Sequence, residues 1–227
     1  MTLRLHLNEN TAGCSPAALA AIRAVDPLDI STYPDYSGIT RACERWFGVE
    51  PGWLQLTNGL DEGNHVISQN ARTGRAIVVE PAFEMYEICA TAVGLAIDRV
   101  LWAPGEPFPT QAVIDAIRPD TRVLYLTDPN NPTGLAIPPG TIERIAGAAP
   151  HVRVLVDEAY ADFSGRTLIG PALNRYRNLI IGRTFAKAFG LAALRLGALI
   201  AHPATLALVR ALLPPASLQL CGGRGVE

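Results

Sequence analysis

Residues 122–134 read RVLYLTDPNNPTG, an apolar run that ends abruptly in a polar, proline-rich turn. Both odd and even positions of the run are apolar, so neither face is written for water. A strand of that kind belongs in a sheet covered by helices on each side, and such sheets are mostly parallel. Six further runs are strand candidates, several of them also apolar on both faces: WLQLT at 53–57, RAIVVE at 75–80, DRVLW at 98–102, VRVLVD at 152–157, NLIIG at 178–182 and LGALIA at 196–201. Helical segments lie between them. Ser15 followed by Pro16 opens one with a cap and a first-turn proline. Ser37 opens another that Gly48 closes, and 83–93, 110–117 and 139–148 supply crossovers. The pattern predicts an α/β fold, a mainly parallel seven-stranded sheet sandwiched by helices.

The bulk numbers set bounds. A chain of 227 residues with 49% apolar content holds one large domain, or one domain and a fragment of another. Its longest apolar runs are broken by Arg or Gly well short of a bilayer span, so no membrane partner is expected. A net charge of −2 with scattered arginines makes no basic stripe, which argues against nucleic acid. The start, MTLRLHLNENTAG, lacks the apolar stretch of a signal peptide, and the expected compartment is the reducing cytoplasm. Cys14, Cys43, Cys89 and Cys221 have no paired spacing, and the four histidines are equally dispersed. No metal site is expected.

In open α/β sheets, ligands sit at the carboxyl ends of the strands. Here those ends carry the unusual polar groups. The run 53–57 leads into Asn58-Gly59-Leu60-Asp61-Glu62, and 122–127 into the DPNNPTG turn. The run 152–157 ends in Asp157-Glu158-Ala159-Tyr160, and 178–182 leads through Arg183-Thr184 to Lys187. Lys187 is the only lysine in a chain that otherwise uses arginine for positive charge. A lysine amine can lose its proton and attack a carbonyl, which a guanidinium cannot. Alone, its isolation reads equally as chance; its position on the polar edge decides for chemistry.

The neighbours suggest which chemistry. Gly59-Leu60-Asp61 follows a strand and opens a helix, either as an ordinary turn or with its backbone N–H groups facing an anion. Asp157 ends an apolar strand, where an ionised carboxylate requires a cation or donor. The paired asparagines leave an amide free to donate, Thr184 offers a hydroxyl, and Arg195 can meet a phosphate. An amine, a buried carboxylate, an amide donor and a phosphate nest together describe a site for pyridoxal 5′-phosphate (PLP).

DPNNPTG, VDEAY and RTFAKAFGLAALRLG resemble the signatures of fold-type-I aminotransferases of classes I and II. LNENT, YPDYSG, NGLDE, PAFEMY and VDEAYADFSG narrow the resemblance to the histidinol-phosphate branch, over about residues 5 to 215. The resemblance implies that Lys187 binds the cofactor's aldehyde and moves the substrate proton, and that Asp157 holds the pyridinium proton. It implies that Asn131 and Tyr160 bond the phenolic oxygen, and that the Leu60 and Asp61 amides, Thr184 and Arg195 hold the phosphate. Phe83 would stack on the ring, or else be plain core. Tyr33 would reach the phosphate of a neighbouring subunit in a homodimer, or else also be core. The implied reaction exchanges an amino group between glutamate and a keto acid, with histidinol phosphate as the implied amino compound. An aromatic aminotransferase, a threonine-phosphate decarboxylase or a non-catalytic PLP-binding remnant would use the same residues.

Three positions depart from the family pattern: Leu60 where a small residue is usual, Ala186 where serine commonly precedes the lysine, and Ala193 in place of a glycine. The Leu60 side chain is expected to point away from the phosphate. By the same resemblance, residues 1–30 belong to a small domain that is incomplete here, and 31–213 form the PLP-binding large domain. The tail 214–227 reads as aberrant or truncated. CGGRG at 221–225, read one base later, can encode Ala-Ala-Val-Glu-Ala, so a frameshift near Leu220 is one expectation and a fragmentary reading frame the other.

Overall fold

The computed structural model describes residues 5–219. Cys221 and the frameshift reading of the tail lie outside the described residues.

Seven strands form one sheet: β1 (Leu54–Asn58), β2 (Arg75–Glu80), β3 (Ala96–Leu101), β4 (Thr121–Thr127), β5 (Arg153–Asp157), β6 (Leu179–Thr184) and β7 (Leu196–Ala201). Their order is β1-β7-β6-β5-β4-β2-β3. The pairs among β2 to β6 are parallel, whereas β7 runs antiparallel to both β1 and β6. A parallel return needs a crossover of a dozen residues or more, usually a helix. Residues 185–195 instead form a loop that stays at one end of the sheet, with a single short turn, Ala192–Leu194. The chain therefore re-enters in the opposite direction.

The helices are α1 (Pro16–Arg23), α2 (Pro27–Ser31), α3 (Ser37–Phe47), α4 (Gly59–Ala71), α5 (Met85–Ala92), α6 (Thr110–Asp115), α7 (Thr141–Ala148), α8 (Ala161–Ser164), α9 (Pro171–Arg175) and α10 (Pro203–Arg210). Ser15 caps α1 by accepting from the Ala18 amide at 3.1 Å. Gly48 ends α3 in the left-handed region. All three expected crossovers are trimmed. The first starts at Met85, because 81–84 turn before the helix, the second ends at Asp115, and the third starts at Thr141, because Gly140 takes φ +77°. The strand expected at 178–182 runs on to Thr184, so Arg183 and Thr184 are strand residues with regular pairing to β7.

Strand periodicity sorts the core into two layers. Leu124 and Leu126 join Ile77, Val154, Val156 and Ile181 on one face. Val123 and Tyr125 join Ala76, Leu155, Ile180 and Leu199 on the other, under α4, α5 and α10. Leu60 belongs to that second layer at 6% exposure, its side chain pressed against Gly182 and Leu199. Its side chain points into the sheet. Cys43 is buried in the first layer and Cys89 on α5, and burial pushes their thiols up to about 12 and about 11.

Candidate active site

The parallel register aligns the strand ends. Thr127 of β4 is level with Asp157 of β5, which is level with Gly182 of β6. Thr127 and Asp157 therefore share the face that α5 covers. Tyr86 of α5 stacks on Tyr125 at 5.1 Å and 10°. Its hydroxyl donates to Asp157 Oδ2 at 2.8 Å and lies 2.8 Å from Thr127 Oγ1. The phenol has one proton, so with that proton on the carboxylate, Thr127 is the donor to Tyr86. Asp157 Oδ1 accepts from the Ala159 amide at 2.9 Å. Only 5% of Asp157 is exposed. Burial raises its pKa to about 6 against the opposing pull of Tyr86, the Ala159 amide and Lys187.

Lys187 lies beyond β6 on the loop that precedes β7. Its Nζ donates to the Leu7 carbonyl at 2.8 Å. Burial lowers its pKa, partly offset by Asp157, Asp61 and Glu9. The N-terminal segment crosses the same edge: Asn8 Nδ2 donates to the Tyr160 hydroxyl at 2.9 Å, and Asn10 Nδ2 to the Ala188 carbonyl at 3.0 Å. Burial raises the Tyr160 pKa.

Close approach of backbones shapes the far end. Gly59 opens α4 at φ +70°, its N–H donating to the Arg195 carbonyl at 2.7 Å. A Cβ on Gly197 would lie 2.7 Å from the Gly59 carbonyl carbon and the Leu60 nitrogen, so this crossing of β7 and α4 requires glycine. Arg195, itself at φ +50°, donates from Nη2 to Asp61 at 2.9 Å. Arg195, Thr184 and the first residues of α4, Leu60 and Asp61, all line the cleft.

A buried ion pair and a part-buried one hold the strand ends together. Glu158 accepts from Thr167 Oγ1 at 2.6 Å, the Leu168 amide at 2.7 Å and Arg183 Nη1 at 3.4 Å. Arg183 also donates to Asp162 at 2.7 Å, with its guanidinium 5.0 Å from the Phe47 ring centre. This locks the turn that carries Asp157 and Tyr160 to the strand that carries Thr184.

One cleft gathers nearly all the expected residues: Lys187, Asp157, Tyr160, Asn131, Leu60, Asp61, Phe83, Thr184 and Arg195 line it. Of the paired asparagines, Asn130 is spent on the turn, donating to Pro81 and Thr133, while Asn131 faces the cleft. Tyr33 is not among the lining residues, and 90% of it is exposed. The cleft also includes Asn64, Tyr86 and Thr127, to which the sequence assigned no role. Among the described residues, no cluster of three or more His, Cys, Asp or Glu is arranged for a metal. No helix there is long and apolar enough to cross a membrane.

A family model, aminotransferase class I and II, matches residues 2–222. Histidinol-phosphate aminotransferase 2 of Nitrosospira multiformis is 34% identical over 98% of this chain and 58% of its own length. Histidinol-phosphate aminotransferase of Rhodospirillum centenum is 36% identical over 89% of this chain and 58% of its own. Among solved structures, the Sinorhizobium meliloti histidinol-phosphate aminotransferase in complex with pyridoxal-5′-phosphate superposes with a TM-score of 0.86 over 96% of this chain and 61% of its own, at 24% identity. The chain thus spans about 58% of the length of these curated relatives. With its sheet, its aligned strand ends and a family match over nearly its whole length, the chain belongs to the class I and II aminotransferases.

Proposed function

We propose that the cleft binds PLP and that the chain carries the cofactor half of an aminotransferase acting between glutamate and a keto acid. The carrying observation is that the sole lysine and a buried strand-end carboxylate line one cleft, with a helix start and an arginine at its corner. The donor set fits the group. Asp157, raised to about 6 by burial, is suited to a protonated ring nitrogen, which would bring it down again. The α4 amides, Thr184 and Arg195 suit a phosphate.

When bound, PLP supplies an electron-withdrawing ring that accepts the electron pair released at the substrate's α-carbon. The chain's residues do the rest. Lys187 Nζ, its pKa lowered by burial, removes the proton from the α-carbon and returns it. Asp157 keeps a proton on the ring nitrogen. Asn131 and Tyr160 hold the phenolic oxygen, Phe83 covers one ring face against water, and the Leu60 and Asp61 amides, Thr184 and Arg195 hold the phosphate. The exposure of Tyr33 suits a residue that reaches the site of a second copy in a homodimer. Residues 1–30 would then belong to a small domain and 31–213 to the cofactor domain of a cytoplasmic enzyme.

Histidinol phosphate is the proposed amino compound, supported by relatives of that name at 34% and 36% identity. Absorbance of the purified chain with PLP, before and after glutamate, tests the reading. A cofactor band that glutamate changes supports a transaminase. A band that glutamate leaves alone supports a non-catalytic PLP-binding remnant. Comparing kcat/KM for histidinol phosphate, threonine phosphate and phenylalanine decides the substrate class.

A further inference from the structure

Asn64 lies fully buried in α4, one turn beyond Leu60, and neither atom of its side-chain amide has a hydrogen-bond partner. Its surroundings explain why that matters. Leu60, Ile67 and Ala71 share its helix face at spacings of three, four and seven residues and pack into the apolar layer beneath the helix. Ser68, one turn on, spends its hydroxyl on the Asn64 carbonyl at 2.9 Å and on Tyr125 at 2.5 Å, so it is not free to satisfy the amide. An amide buried without partners is costlier than an apolar group of the same shape, and leucine is nearly its isostere. Packing alone would favour leucine at 64.

The amide has one opening. Asn64 lines the cleft together with Asp61, Arg195, Tyr86 and Asp157. We infer that Asn64 is a further ligand-binding residue, whose amide pairs with bound PLP directly or through one water held between them. This rests on the proposed function of the cleft and adds a contact from the α4 side. The ligand-free chain then keeps an unpaired amide that costs stability, and binding recovers it. No other described residue lining the cleft combines full burial with an amide unpaired at both atoms.

Asn64→Leu separates this from a core role, because the two predict opposite changes. The melting temperature of the ligand-free 227-residue chain and its PLP affinity by absorbance titration are measured for both proteins. A contact residue gives a variant that melts at least about 2 °C higher without PLP, yet binds PLP about tenfold or more weakly. Asn64→Ala, which avoids any misfit of the larger side chain, should show the same loss of affinity. PLP affinity equal to the wild type in either folded variant overturns the inference while leaving the proposed function intact. A wild-type chain that takes up no PLP overturns both.

Discussion

Tyr86 donates its hydroxyl proton to Asp157 Oδ2 at 2.8 Å, across 71 residues of sequence, while its ring stacks on Tyr125. The carboxylate is thereby aimed and its charge supported from behind the site. Removing the hydroxyl leaves the stack, so Tyr86→Phe should fold normally. Losing a hydrogen bond to a charged group costs about 1.5–3 kcal/mol, or roughly one to two pH units on Asp157. The Ala159 amide and Lys187 also pull Asp157 down, and Asp61 pushes it upward; none of these changes in the variant. The acid limb of PLP binding should therefore move to higher pH in Tyr86→Phe. An unmoved limb would show that Tyr86 does not set the charge of Asp157.

Asp157→Asn keeps the shape and removes the charge. In any active form of the enzyme, turnover should drop by several orders of magnitude. A loss under about tenfold, worth about 1.4 kcal/mol of barrier, would mean that Asp157 is not the ring partner.

Ligand-free stability should fall as pH rises. Asp157 stands at about 6 and Glu158 at about 7, both raised chiefly by burial from 3.8 and 4.5. The folded chain therefore binds protons that the unfolded chain has released, and stability declines between about pH 4 and pH 7. Asp98 acts in the opposite sense because the Arg75 hydrogen bond lowers its pKa, but its contribution is complete above about pH 4. Denaturant midpoints at pH 5 and pH 8 measure the slope. Asp157→Asn should flatten it and stabilise the ligand-free chain at pH 8 by about 1–3 kcal/mol. A variant less stable than wild type at pH 8 would contradict this.

Arg195 should distinguish PLP from pyridoxal. Its guanidinium sits at the α4 start beside Asp61, positioned by its own carbonyl's bond to Gly59. Arg195→Gln should weaken PLP binding about 10- to 100-fold, the value of one charge-assisted contact, and leave pyridoxal binding nearly unchanged. Equal losses for both ligands would remove Arg195 from the phosphate site.

The sheet was legible because β4, β5 and β6 are apolar on both faces, a pattern that only a covered strand tolerates. Lys187 and Asp157 were legible because each is out of character with its surroundings. The antiparallel β7 was not, since its direction depends on the path of residues 185–195 rather than on composition. Tyr86 and Thr127 were hidden for a related reason. Residues 83–93 read as a helical crossover, and the chemistry of Tyr86 appears only when α5 folds over the ends of β4 and β5. Asn64 did leave a signal: an asparagine on the helix face otherwise built from Leu60, Ile67 and Ala71.

The central claim, that Lys187 is the cofactor's point of attachment, has a direct test because the chain contains one lysine. The purified protein is loaded with PLP, reduced with borohydride, digested and mapped by mass spectrometry. The account predicts a single pyridoxyl group on the peptide containing Lys187, and no reducible attachment or cofactor band in Lys187→Arg. A pyridoxyl group confined to the N-terminal amine, or a Lys187→Arg variant that keeps the band, would contradict it.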